Sequence, residues 1–427
     1  MVRVTDMTHG RPIRLILLFS LPLMLGSVFQ QLYTIVDTII IGRGVGMQAL
    51  ASIGAADWIN WLVLWGLQGF TQGFAILAAQ EFGAGAYDRL RRVLAMIVKL
   101  SCWFGIAVTV ISLLLVRPLL TLLHTDPAVF GGAQTYLYVQ FGGSLIIIAY
   151  NMAAAVLRCL GDSRTPLFAI IAASFANIAL DLLFVMGFGW GIFGASFATV
   201  LAQLIAFLLC LRSLRRLPFV QLTKADWKTD PAILLHLCRL GIPTGLQMSM
   251  ITLGGMVLQS VLNGFGVVFV AGYTAANKLY GILESASVAF GYAMTAYMGQ
   301  NRGARNAARI DAGIRAVLVL SAEFTAAIVT AMLVAGKPLL GLFLSTEEAG
   351  ATDALAVAYQ YLMVLMAFLF ALFMLQAYRS SLQGLGEMTV PTLSGFAEML
   401  MRMGAALVLP TFIGQSGVFF AEGAAWV

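Results

Sequence analysis

The chain has 427 residues, of which 60% are hydrophobic and 10% charged, with a formal net charge of +6. Soluble domains carry about 25% charged residues, so a water-soluble globule is excluded. Nor does the positive charge mark a nucleic-acid surface, because the basic residues stand at the ends of apolar runs and not in one patch.

Those apolar runs follow one another along the chain at 13–36, 50–74, 93–116, 133–157, 167–186, 192–211, 240–262, 268–294, 314–335, 355–378 and 391–412. Each can cross a hydrocarbon core of about 30 Å as a helix. None alternates with period two, and a backbone in lipid must satisfy its own hydrogen bonds, so helices are predicted and not a barrel. The fold class is an all-α integral membrane protein. The first run has a basic flank but no small-residue cleavage site after a short apolar core, and reads as a retained helix. Cys102, Cys159, Cys210 and Cys238 lie in or beside apolar runs without disulfide or metal spacing, which assigns them to packing.

With the N-terminus cytoplasmic, the inner side collects twenty basic residues, from Arg3, Arg11 and Arg14 through Arg158 to Arg379; the outer side receives Arg43, Arg117 and Lys337. This bias sets the orientation in a plasma (inner) membrane.

A shift of about 220 residues superimposes the chain on itself. Leu21-Pro22 meets Ile242-Pro243, the Ala-Gln-x-x-Gly-Ala stretch from Ala79 meets the Gly-Gln-x-x-Gly-Ala stretch from Gly299, Arg117-Pro118 meets Lys337-Pro338, and Leu160-Gly161-Asp162 meets Leu385-Gly386-Glu387. Such a repeat predicts two pseudo-symmetric six-helix lobes. Residues 1–211 form the first, 212–236 a cytoplasmic connection and 237–427 the second. Six helices per unit give both lobes one orientation, with a substrate path between them. In this alignment Gly417 corresponds to Gly191, so the twelfth helix stops after about 16 Å; the spacing predicts a shortened copy of a longer protein.

Acids inside apolar runs are costly and ask for a reason. Asp37 lies near the outer end of the first helix; Asn177 and Asp181 are four apart on one face of the fifth; Thr199 is in the sixth. Helical rise places these side chains at a common depth, about 8 to 10 Å from the outer turn. Two carboxylates, an amide carbonyl and a hydroxyl are oxygen donors suited to a hard cation such as Na⁺. The same carboxylates could instead cycle a proton, or merely hydrogen-bond to neighbouring helices. Glu398 and Arg402, i and i+4, can neutralise each other. Asp57, Lys278, Glu284 and Glu323 have no partner visible in the sequence. Gln30, Gln31, Tyr33, Gln68, Gln72, Tyr150 and Asn151 are candidates for the cleft wall, and Pro22 removes a backbone hydrogen bond where the first helix could bend.

The two lobes, the stretch LPLMLGSVFQQLYTIVDTIIIGRGVG, the Gly-Gln-x-x-Gly-Ala type sequences, LGDSRTP, and NIALDLLFV followed by GASFATV resemble the multidrug and toxin extrusion (MATE) transporters, and within them the DinF-like branch. The resemblance covers the whole chain. It implies a V-shaped molecule with a central cleft, a coupling-ion site at Asp37, Asn177, Asp181 and Thr199, and a bend at Pro22. A second branch uses acids in helices 7 and 10, and 240–262 and 355–378 contain none. The implied activity is cation-coupled (Na⁺ or H⁺) antiport of amphipathic, often cationic, small molecules by a monomer in the bilayer, with no cofactor and no nucleic-acid partner. Alternatives are a flippase for lipid-linked oligosaccharides and a non-transporting receptor or scaffold. No nucleophile-base or metal constellation of an enzyme is present.

Overall fold

The computed structural model describes residues 4–344 and 350–427, so Arg3 lies outside the described part. Among the described residues all regular elements are helical. The first lobe contains α1 (Pro12–Gly44), α2 (Met47–Gly83), α3 (Tyr87–Leu122), α4 (Pro127–Gly142), α5 (Ser144–Cys159), α6 (Arg164–Asp181) and α7 (Gly191–Leu214). The second contains α8 (Pro231–Leu262), α9 (Val267–Gly303), α10 (Ala307–Gly341), α11 (Ala351–Gly384), α12 (Thr389–Ile413) and the short α13 (Phe420–Trp426).

Nine of the described helices are long and apolar enough to cross a membrane, and α4 with α5 makes a tenth span bent by 50°. The run 133–157, read as one helix, is therefore two. The break falls at Gly142-Gly143, where a Cβ on Gly143 would stand 2.5 Å from Val200 on α7, so the bend lets the two helices approach. α9, although 37 residues long, falls outside the apolar spans. It carries Asn277, Lys278 and Glu284 and runs through the centre of the molecule, where its half from Ala286 to Asn301 is almost wholly buried by protein.

α2 and α9 are pseudo-equivalent and central. α2 packs on α8 and α9, and α1 on α9, which joins the lobes. Glycines permit this contact: a Cβ on Gly69 or Gly73 would come within 2.7 Å of the α8 backbone, and one on Gly241 within 2.1 Å of the Phe74 ring. At the basic end the approach is closest. Cβ atoms on Gly83 and Gly303 would lie 1.9 and 1.8 Å from the carbonyl oxygens of Gln300 and Gln80. The same glutamines reach across: Gln80 Nε2 donates to the Gly384 carbonyl (3.1 Å) and Gln300 Nε2 to that of Cys159 (3.0 Å). Gly384 and Cys159 occupy matching places in the repeat, so the two bonds are related by the pseudo-symmetry.

One of them is covered by the N-terminal segment. Met7, fully buried, donates its N–H to Gln300 Oε1 (2.8 Å), and its carbonyl accepts from Asn301 and Arg309 of the second lobe. Two residues earlier, Thr5 N–H donates to the Gly161 carbonyl of the first lobe (3.0 Å). Toward the opposite end the lobes part: α2 is continuously buried only over Thr71–Ala79, and α1 has no buried residue between Val28 and Ile39. The result is a V with a central cleft.

The connection between lobes is tied to the first. Lys99 on α3 donates to the Trp227 carbonyl (2.5 Å) and Thr229 Oγ1 (2.8 Å), while Asp226 accepts from the backbone and hydroxyl of Thr223 (both 2.7 Å).

Candidate functional site

α1 packs against α6 in the first lobe, and this pairing sets the acids face to face. Asp37 and Asp181 are close enough for each carboxyl to feel the other. Asp181 is 0% exposed and Asn177, one turn earlier on the same face, 1%. Tyr33, one turn before Asp37, lies near both acids. Immediately after Asp181 the helix widens into a π turn over Leu182–Gly187, an arrangement recurrent at functional sites. Gly44 closes the far end of α1 onto this turn: a Cβ there would sit 2.9 Å from Val185.

The group is rich in unmet oxygen. Asp37 Oδ1, Asn177 Oδ1 and both carboxylate oxygens of Asp181 are buried without a protein partner. Leaving such an atom unsatisfied costs about 1–3 kcal/mol, more when it is charged. A proton shared by the two carboxyls, or a small hard cation, would relieve that cost. Thr199, half-buried on α7, spends its hydroxyl hydrogen on the Ala195 carbonyl (3.2 Å) and keeps its oxygen lone pairs. Among the described residues there is no cluster of three or more His, Cys, Asp or Glu arranged for a metal ion; the oxygens here are two carboxylates with neutral donors.

The matching place in the second lobe is chemically opposite. Arg402 stands where the repeat would put Asn177, and its Nη2 bonds Glu398 (2.9 Å) and Glu422 (2.8 Å) while Nη1 donates to the Ile251 carbonyl (3.1 Å). Arg379 adds a second bond to Glu398 at 2.7 Å. The i, i+4 pair expected from the sequence is thus part of a four-residue cluster. Arg379, counted with the charges of the cytoplasmic surface, is in fact 6% exposed. Two buried arginines already neutralise Glu398 and Glu422.

Of the other cleft candidates, Gln68 donates to the hydroxyl of Tyr292 across the lobes (2.7 Å), and Gln72, 7% exposed, accepts from Arg158 (3.0 Å). Gln30 and Gln31 are exposed on α1, and Gln31 Nε2 comes within 3.6 Å of the Cβ position of Gly281 in the second lobe. Tyr150 is buried at 9% exposure, and Asn151 bonds to its own helix at Ile147. Pro22 lies inside α1, which continues as helix through it. Asp57 and Glu284 are half-buried, while Lys278 and Glu323 are exposed without an ion-pair partner within 4.0 Å among the described residues. Sequence reasoning missed Arg158 and Tyr292. Their signal was the cross-lobe proximity, which exists only after folding.

The MatE family model matches the chain twice, over residues 22–183 and 243–408. The chain belongs to the MATE family of transporters. The two matches begin at the paired prolines Pro22 and Pro243, so the family model falls on the repeat. The probable multidrug resistance protein YpnP of Bacillus subtilis is 33% identical over 84% of this chain and 80% of its own length. The multidrug export protein MepA of Staphylococcus aureus is 24% identical over 96% and 88%. Among solved structures, a MOP-superfamily transporter from Pyrococcus furiosus superposes with a TM-score of 0.90 at 24% identity, covering 99% of this chain and 94% of that one. An outward-facing MATE-family multidrug resistance transporter of the MOP superfamily gives 0.90 at 23% identity over 99% and 94%. These superpositions establish the V-shaped two-lobe fold. This MATE transporter is a multi-pass membrane protein, and it is not an enzyme.

Proposed function

We propose that the protein is a cation-coupled antiporter in which Na⁺ or H⁺ enters through Asp37, Asn177, Asp181 and Thr199 while an amphipathic small molecule leaves through the central cleft. The observation that carries this reading is the carboxylate pair of the first lobe, three of whose four oxygens are buried without a protein partner, whereas Glu398 and Glu422 of the second lobe are paired with Arg379 and Arg402. The basic end faces the cytoplasm, which puts the N-terminus inside and the mouth of the V outside. Residues 1–211 and 237–427 rock as two lobes of a monomer joined by 212–236. Cation binding relieves the repulsion between Asp37 and Asp181 and lets α1 bend at Pro22, so ion and substrate favour different states.

One cation entering down about 100 mV gains roughly 2.3 kcal/mol, and a tenfold ion gradient adds about 1.4. Together they drive a neutral substrate outward roughly 500-fold, but a monovalent cation exchanged one for one only about tenfold. Two carboxylates allow a second ion. Expression in cells stripped of their own pumps tests the export itself: accumulation of a fluorescent amphipathic cation such as ethidium should fall with wild type and return with Asp37→Asn or Asp181→Asn. Unchanged accumulation with wild type would refute it.

A further inference from the structure

At the basic end the two halves of the repeat differ in what covers a matching turn. In the first lobe the turn after α5 lies under the N-terminal segment: Thr5 N–H donates to the Gly161 carbonyl (3.0 Å), and a Cβ on Gly161 would stand 2.1 Å from the Thr5 carbonyl oxygen. In the second lobe the chain that leads into α8 takes another route, held along α3 by Lys99. The matching turn at Gly386 is left beside a groove of about 460 Å³ between the starts of α8 and α12, whose walls include Leu235, His236, Arg239, Glu387 and Thr389. The repeat puts Leu15 and Leu18 where His236 and Arg239 stand, so the open groove is also the polar one.

Its charge is positive. Arg89, Arg239 and Arg302 converge on His236 closely enough for the ring to feel all three. Arg89 is spent on Glu81 (3.0 Å), but Arg239 and Arg302 have no ion-pair partner within 4.0 Å among the described residues. Glu387, the acid on the wall, is turned to its own helix, where Oε1 accepts from the Thr389 N–H (2.9 Å). The groove also runs on to an apolar surface. Leu235, Arg239, Ile242 and Leu246 follow at i, i+4, i+7 and i+11 and share one face of α8. The three aliphatic side chains on that face are 46–54% exposed, on a helix long and apolar enough to cross the bilayer, where such a stripe meets acyl chains.

We infer that this groove holds the headgroup of an anionic phospholipid, its phosphate between His236, Arg239 and the Thr389 hydroxyl and its acyl chains along Leu235, Ile242 and Leu246. A guanidinium fork matches phosphate oxygens, and a basic pocket at the end of spanning helices adjoining lipid-facing apolar side chains meets both parts of such a molecule. The turn that borders the groove also carries the Gly384 carbonyl held by Gln80 of the first lobe (3.1 Å), so the lipid sits beside the closed seam. That the leaflet is the inner one rests on the orientation proposed above; the binding itself does not.

The test is native mass spectrometry of the purified protein with dioleoyl phosphatidylglycerol and dioleoyl phosphatidylcholine. Wild type should retain one phosphatidylglycerol about fivefold or more tightly than phosphatidylcholine, the factor expected of one basic residue at a membrane surface. Arg239→Leu, which gives the second lobe the residue of the first, should cut that preference to about twofold or less. Arg216→Gln, which removes an exposed charge from the connection between lobes, should leave it unchanged. No preference in wild type, or an equal loss in both variants, would overturn the inference, the second by reducing it to net charge. So would displacement of the lipid by excess glycerol phosphate, which would make the ligand a free phosphate. Should Arg239→Leu fail to fold, a diazirine-bearing phosphatidylglycerol crosslinked to wild type decides: adducts should fall within 232–246 or 386–390, and adducts confined elsewhere would overturn it. Binding is read without transport, so its failure leaves the export reading standing.

Discussion

Replacing Gln300 by alanine should shift the transporter toward the state that is open at its basic end. Gln300 is 0% exposed and makes two bonds that exist only when that end is closed: Nε2 to the Cys159 carbonyl and Oε1 from the Met7 N–H. Alanine removes both and leaves the Met7 N–H and the Cys159 carbonyl in a dry contact, whereas opening hydrates them. At about 1 kcal/mol for each bond the closed state loses about 2 kcal/mol, roughly a 30-fold shift. A wild-type population of about 1% open would rise to about a quarter. Double electron–electron resonance between labels at the exposed Asp88 and Ala308, which correspond in the repeat, would report it. Wild type should give one short distance and Gln300→Ala an additional longer one. Identical distributions would refute the assignment of Gln300 as a latch.

Three further outcomes follow from the same structure. Gly83→Val forces a side chain to within 1.9 Å of the Gln300 carbonyl, so the same label pair should separate and substrate counterflow should fall. Glu398→Gln leaves Arg379 and Arg402 buried with Glu422 as the remaining carboxylate of the cluster and should cost about 3–5 kcal/mol, seen as a lower thermal midpoint in detergent. Asp181→Asn removes a buried carboxylate whose two oxygens lack protein partners, and should raise the thermal midpoint or leave it unchanged while export is lost; a lower midpoint would mean that the carboxylate serves the fold.

The helical fold class and the two-lobe plan were legible because lipid imposes a local rule: each span must be long, apolar and internally bonded. The same rule explains where reading the sequence fell short. α9, read as a helix over 268–294, runs on to Gly303, where it faces protein and carries polar residues that end the apolar signal early. The bend at Gly142-Gly143 depends on the approach of Val200 from α7, 57 positions away. Asn177 and Asp181 were legible as one helical face, and Asp37 by its depth; that α1 and α6 make Asp37 and Asp181 neighbours is a matter of packing. Arg158 and Arg379 sit near helix ends, where basic residues ordinarily reach water, and their burial arises from elements distant in sequence: α9 for the first and α12 for the second. The pairing of Arg402 with Glu398 was local and readable, while Glu422 joined it from another helix.

The central claim is that the carboxylate pair of the first lobe couples ion entry to substrate exit, and flux in proteoliposomes under imposed gradients tests it most directly. Wild type should move ethidium against its gradient when Na⁺ or H⁺ is supplied on the opposite side, and should stop when that gradient is collapsed. Asp37→Asn and Asp181→Asn should abolish the gradient-driven component while the protein remains folded. If both variants transport uphill at the wild-type rate under either ion, the coupling site does not lie at Asp37 and Asp181.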